Sequence, residues 1–438
     1  MFRLASSLFL LVSAGIALGQ CPLTFKDADK ALIGVYVAPV DGSTPLADYN
    51  ADRLFTPASV MKAVTVAAAI SRHGGDYRWQ TTVSASGNII DGTLEGNIIV
   101  AGSGDPTLGS EYFKEGRPGF LSSVKSAAEQ AGILRVAGRV EDGSAAWPNQ
   151  GPVPSWEIED IPGVDGAGFY SLNYSDNTFS LIYPSMKTSP RIPELNIRYR
   201  GGQGVISFFR NPGSNDLNIY GQLSRKQKRV SLKCSMPYPP LVLLSELDSL
   251  FQSEGREFRT VCDTTALLVY KSPQLRDIAR SLMFRSDNQM AEAALRLLAP
   301  RQSRAKAIAA ERSLLTNLGV DLSGARIADG SGLSRHNAIS PRQLANVLKI
   351  MARNGDYVGS FARVGLDGTV RSLMSGVPGR ENFVLKSGSM TGVVCYVGYR
   401  LNPSTKSPTH VIAIMVNNAP VAKDARTAIA KLLSELKF

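Results

Sequence analysis

The sequence predicts an α+β fold, with one antiparallel sheet carrying helices on its faces, split by a β-rich block. Three observations carry this reading. Strand-like runs stand at both ends of the chain, Ala31–Pro39 early and Phe383–Ser389, Val393–Leu401 and His410–Val416 late. Between about 78 and 264 the chain changes to short β-branched and aromatic runs separated by Gly, Asn and Pro. Just before that block, Ser59–Ser71 has no Gly or Pro and is apolar on nearly every side, the mark of a buried core helix.

Ala31–Pro39 is bounded by Asp41-Gly42, so a turn follows it, and a second strand is expected near Pro45–Tyr49. Pro57 signals the start of the core helix. In the block, strands are expected at Thr81–Ser86, Asn88–Ile90, Gly96–Val100, Ser175–Tyr183, Glu194–Tyr199, Gly204–Phe209, Asp216–Tyr220 and Arg229–Cys234. One helix is expected there, near Phe120–Ala131. Helical signals return at Pro240–Glu254, Ser272–Arg280, Asn288–Leu298, Ser303–Leu318, Pro341–Asn354 and Thr369–Met374. Asp424–Leu436 closes the chain as a helix. Helices enclosed by strands from both termini imply a single antiparallel sheet interrupted by an insertion.

With 438 residues, 44% hydrophobic and 19% charged, the chain is long enough for two or three packed domains and is not disordered. Residues 1–19 read as a secretory signal peptide. Arg3 gives the positive start, Leu8–Leu18 the apolar core and Ala17-x-Gly19 the small-residue cleavage site. A lipoprotein alternative arises from Cys21 after Leu18-Gly19-Gln20, but Gln20 is large for the residue before a lipidated cysteine. Four cysteines allow three pairings, and Cys234 with Cys262 is the favoured one beside isolated buried thiols. The net charge of +11 suits anionic wall polymer or lipid headgroups, with peripheral membrane or wall association at most. The densest basic run, Arg225–Arg229, has no interleaved aromatics, so no nucleic acid is expected as a partner. No H-E-x-x-H or Cys/His cluster occurs, and neither a metal nor another cofactor is expected.

The chemistry lies in three short motifs. Ser59 and Lys62 are three apart on the core helix and share a face. In the first helical turn, free N–H groups and the positive dipole end favour a developing alkoxide. A serine nucleophile needs a base, and none of His73, His336 and His410 has a triad context. Lys62 serves if it is neutral, a state that burial and a second cation such as Lys386 would favour. Ser-Asp-Asn occurs twice. Ser175–Asn177 enters a strand and reads as a turn, whereas Ser286–Asn288 heads a helix and lies where side chains can enter a cleft. Ser286 can relay a proton to a leaving amine, Asn288 can bind a substrate amide, and Asp287 supports the loop. Lys386-Ser387-Gly388-Ser389 opens a strand on which Gly388 permits close approach of substrate. There the hydroxyls of Ser387 and Ser389, with Lys386, can hold a terminal carboxylate. The N–H groups of Ser59 and Ser389 would form the oxyanion hole. S-x-x-K, S-x-N and K-[ST]-G in this order describe an acyl-serine site that works without histidine.

Gly102-Ser103-Gly104 lacks the third glycine of a dinucleotide loop, position 107 being Thr. Asp329-Gly330-Ser331 reads as a structural loop near the site mouth rather than a second nucleophile.

With these motifs the chain resembles the class C low-molecular-mass penicillin-binding proteins, D-Ala-D-Ala carboxypeptidase/endopeptidases of peptidase family S13. The segments Leu94–Leu108, Ala328–Arg335 and Ile339-Ser340-Pro341 are similar to it as well. The resemblance implies a β-lactamase/transpeptidase-like domain split by two nested insertions. The transpeptidase-like catalytic domain would comprise 20–77 and 265–438, the β-rich inserted domain 78–103 and 166–264, and the nested inserted domain 104–165. It implies an exported enzyme of the periplasm or cell envelope, with peptidoglycan stem peptides as substrate and β-lactam antibiotics as covalent inhibitors. Serine replaces the commoner threonine at Ser387 and Ser389, keeping both hydroxyls, and the segment about 201–230 diverges. The alternatives are a serine β-lactamase, against which stands the lack of an E-x-x-L-N motif, and a non-catalytic wall-binding protein.

Overall fold

The computed structural model of the chain describes residues 20–258 and 264–438. The signal-peptide segment 1–19 and Cys262, with its expected pairing to Cys234, lie outside the described residues.

The main sheet has six antiparallel strands and draws on both ends of the chain. We label its principal members β1 (Leu32–Pro39), β2 (Ala47–Tyr49), β3 (Phe383–Met390), β4 (Val393–Leu401) and β5 (Pro408–Asn417). The order is Ala362–Arg363, β3, β4, β5, β1, β2, so the first strand pairs with the last. The sheet is buried on both faces, as the near-continuous apolar runs of β1, β4 and β5 require. Alternate side chains divide it. Ile33, Val35, Ile412, Ile414 and Val416 pack with the closing helix α5 (Ala422–Glu435). Tyr36, Val384, Cys395, Val397, Ala413 and Met415 face the other helical layer. That layer contains α1 (Met61–His73), α2 (Leu275–Arg285), α3 (Asn288–Leu297) and α4 (Pro341–Met351). Ten successive residues of α1, Met61–Ile70, are buried, which explains its unbroken apolar sequence.

Between residues 80 and 271 the strands pair as expected in kind and differ in detail. Gln80–Ile90 is one strand, not two. Gly87 lets it pass, because a Cβ there would strike the Glu95 carbonyl of the paired strand Thr93–Ala101. Thr265–Lys271, where no element is expected from the sequence, is a half-exposed strand paired with Gln80–Ile90. Its Ala-Leu-Leu-Val run shows no clear period of two. The expected helix at Thr369–Met374 is a single 3-10 turn over Gly368–Val370. One apolar cluster joins the insertion, with Phe120, Val124 and Ile133 packing against Val83, Ile98, Phe179, Leu217 and Leu243.

Candidate active site

Ser59 sits in a 3-10 turn, Ala58–Val60, that leads directly into α1. The turn is forced. Ala58 is buried with φ at 48°, a left-handed conformation that a non-glycine residue adopts only when its surroundings hold it. Two glycines press on it. A Cβ on Gly332 would run into the Ala58 carbonyl. A Cβ on Gly388 would lie 2.6 Å from Pro57 O and 3.1 Å from Ser59 N. The third motif therefore meets the nucleophile's own backbone.

Lys62 is wholly buried, and its Nζ has three oxygen neighbours. They are Ser59 Oγ at 2.9 Å, Asn288 Oδ1 at 2.6 Å and the Ser331 carbonyl at 2.6 Å. The latter two can only accept, so they engage two N–H bonds. A neutral amine has two N–H bonds and one lone pair, which leaves the lone pair for the Ser59 hydroxyl. Burial lowers Lys62 from its usual 10.5 to about 8, against the raising pull of Asp329, Asp287, Glu292 and Asp165. The sequence reading expected the Lys386 charge to share in this. Lys386 is itself pushed well below its usual range, by burial and then by the Lys62 charge, so the two buried cations disfavour each other's charge.

Ser286 caps the end of α2 with φ at 61°, and its Oγ accepts from Lys386 Nζ at 2.9 Å. Asp287 caps α3, its side chain accepting from Met290 N, so it serves the loop as expected. Asn288 donates through Nδ2 to Asp165 O at 2.9 Å, so its carboxamide links Lys62 to the insertion. Ser387 Oγ donates to Thr369 Oγ1, and Ser389 Oγ accepts from Arg426 of α5 at 2.9 Å. Ser59, Ser286, Asn288, Ser387, Gly388 and Ser389 open onto one cleft of about 460 Å³. Lys62 and Lys386 lie behind it. Ser175–Asn177 is far from this chemistry in role: Asp176 accepts from Ser110, and Asn177 binds Gly168 O and Asn173.

Three contributions escaped the sequence reading. Asp329 is buried and accepts from Trp156 Nε1, Gly332 N, Ser334 N and Asn337 Nδ2. It thereby fixes the loop whose Ser331 carbonyl holds Lys62. Glu292 accepts from the N–H groups of Gly330 and Ser331, both at 3.0 Å, and orients the same carbonyl. Its spacing of four from Asn288 on α3 was the available signal. Arg426 carried none.

Burial and the Asp329 charge raise Glu292 to about 7, against Arg304 and Ser331. Around pH 8 it is mainly ionised and favours the charged Lys62. Glu292→Gln keeps an oxygen for both backbone N–H groups and removes the charge. Lys62 then loses its proton more readily, so the acidic limb of kcat/KM should move to lower pH. A pH–rate profile checks this, and a limb that stays or rises contradicts it.

Residues 23–436 match the D-Ala-D-Ala carboxypeptidase 3 (S13) family. The D-alanyl-D-alanine carboxypeptidase DacB of Haemophilus influenzae is 25% identical over 433 residues, covering 92% of this chain and 88% of its own. The D-alanyl-D-alanine carboxypeptidase of an Actinomadura species is 22% identical over 466 residues, covering 93% and 82%. The crystal structure of penicillin-binding protein 4 (dacB) from H. influenzae superposes with a TM-score of 0.79 at 22% identity, covering 95% and 96%.

Proposed function

The chain belongs to the D-Ala-D-Ala carboxypeptidase 3 (S13) family, and from that premise we propose that it is an exported serine D-alanyl-D-alanine carboxypeptidase/endopeptidase acting on peptidoglycan stem peptides. The observation that carries the reading is the Lys62 amine, enclosed by two obligate acceptors and the Ser59 hydroxyl.

Ser59 Oγ attacks the carbonyl of the penultimate D-alanine, and its proton passes to neutral Lys62. The carbonyl oxygen becomes an oxyanion held by the N–H groups of Ser59 and Ser389. The C–N bond breaks as the leaving amine takes up the proton that Lys62 received, relayed through Ser286 Oγ, which Lys386 positions, so that Lys62 is neutral again. Asn288 keeps Lys62 in place and offers its remaining N–H to the substrate amide. Ser387 and Ser389, with Lys386 behind them, receive the terminal carboxylate, and Gly388 admits the peptide against the strand. Water then attacks the ester with Lys62 again accepting a proton, which regenerates Ser59. A β-lactam acylates Ser59 in the same way, but its ring-opened amine stays tethered. No metal or other cofactor enters these steps.

Export into the periplasm or cell envelope rests on the reading of residues 1–19. No helix of the described residues is long and apolar enough to cross a membrane. The division proposed is a catalytic part (20–77 and 265–438), a β-rich insertion (78–103 and 166–264) and a nested segment (104–165). The pairing of Thr265–Lys271 with Gln80–Ile90 favours moving the second crossing to about 272. Release of D-alanine from a soluble pentapeptide by the wild type, and none by Ser59→Ala, tests the activity. Rapid nitrocefin turnover without D-alanine release would favour the β-lactamase alternative instead.

A further inference from the structure

A cavity larger than the catalytic cleft lies elsewhere among the described residues. It is an open trough of about 1600 Å³ that shares no lining residue with that cleft. It lies where β1 leaves the sheet, between the β4–β5 turn and the C-terminal parts of α2 and α4. Its walls carry Arg280, Lys349, Arg353, Arg363 and Lys406, against Asp41 as the one carboxylate. Asp41 is bound by the N–H and hydroxyl of Ser43 within its own turn. The cations are poorly neutralised. Arg363 pairs with Asp367, and Lys406 meets the neutral Asn382. Arg280 lies over the ring of Phe284, and Lys349 over that of Tyr36. Arg353 is exposed and has no hydrogen-bond or ion-pair partner among the described residues. The floor is apolar, with Phe361, Val384 and Leu401.

We propose that this trough is a second binding site, which holds a carboxylate-bearing strand of the peptidoglycan polymer while the catalytic cleft works on a stem peptide. The inference rests on the substrate reading above. A groove whose walls carry five cations against Asp41, with only Arg363 in an ion pair among the described residues, attracts an anion of matching length. A single small anion would engage few of them in a space this large. Stem peptides bear carboxylates at intervals, and sugar rings offer apolar faces suited to the floor. Val384 shares a face of β3 with Lys386, roughly 7 Å along the strand, and Phe284 precedes Ser286 by two residues. Polymer in the trough therefore lies against the strand and helix that carry the catalytic groups.

The test is cosedimentation of the full chain with insoluble peptidoglycan at low and high salt, using Arg280→Gln/Lys349→Gln/Arg353→Gln and the single variant Arg353→Glu. D-alanine release from a soluble pentapeptide, run in parallel, shows that each variant is folded and active. The triple variant is expected to bind the polymer about tenfold more weakly and digest it correspondingly slowly, with pentapeptide turnover unchanged. Arg353→Glu shifts binding the same way, and salt erases the difference. Unchanged polymer binding and digestion in both variants overturns the proposal. So does binding lost to anionic phospholipid vesicles but not to peptidoglycan, which assigns the trough to lipid headgroups. A wild type inert on pentapeptide that still binds the polymer through these cations overturns the enzymatic reading and keeps the binding site.

Discussion

Lys62→Met is expected to lower the rate of Ser59 acylation by roughly three to four orders of magnitude, while unfolding free energy stays within about 2 kcal/mol of wild type. The rate loss follows because, among the described residues, Lys62 is the base in contact with Ser59 Oγ. The small stability change follows from two opposed effects. A lysine lowered from 10.5 to about 8 by complete burial costs the fold on the order of 3 kcal/mol at neutral pH. Its folded value lies below its unfolded one, so the unfolded chain binds more protons between the two. That cost is full below pH 8 and lifts as pH rises towards 10.5. Methionine removes it with similar volume but leaves Asn288 Oδ1 and the Ser331 carbonyl without their donor, at about 1–3 kcal/mol each. Stopped-flow acylation and urea unfolding measure the two quantities. A variant that acylates within tenfold of wild type contradicts the role given to Lys62.

Gly388→Ala is expected to cost about 100-fold in kcat/KM and 1–3 kcal/mol in stability. The added Cβ would stand 2.6 Å from Pro57 O, 3.0 Å from Val60 N and 3.1 Å from Ser59 N. All three are backbone atoms, so no side chain can swing aside. Either β3 retreats or the turn carrying Ser59 moves, and both shift the nucleophile relative to the N–H groups proposed for the oxyanion. Steady-state kinetics on a pentapeptide check the rate, and thermal unfolding checks the stability. Wild-type kinetics would show that the strand has slack there.

What was legible in the sequence had local or ordered signatures. The core helix after Pro57 has no polar side, and the strands at both ends bracket the helices. The three motifs sit on a helix, a loop and a strand in the order their chemistry needs. Ser175–Asn177 was separable from Ser286–Asn288 because only the latter heads a helix of strong formers. What was not legible depends on contacts between distant segments. Nothing near Glu292 says that its carboxylate will meet the N–H groups of Gly330 and Ser331. Arg426 reaches Ser389 only because the last helix packs on β4, the strand next to β3. The four carboxylates that oppose the lowering of Lys62 all come from segments distant from it in sequence. Thr265–Lys271 was missed because a half-exposed edge strand without clean alternation resembles a loop.

The most direct test of the account is intact-mass analysis of the chain after incubation with penicillin G. A single adduct of the whole antibiotic's mass is expected on the wild type, localised by peptide mapping to Ser59 and absent from Ser59→Ala. No adduct on the wild type, or an undiminished adduct on Ser59→Ala, would contradict it.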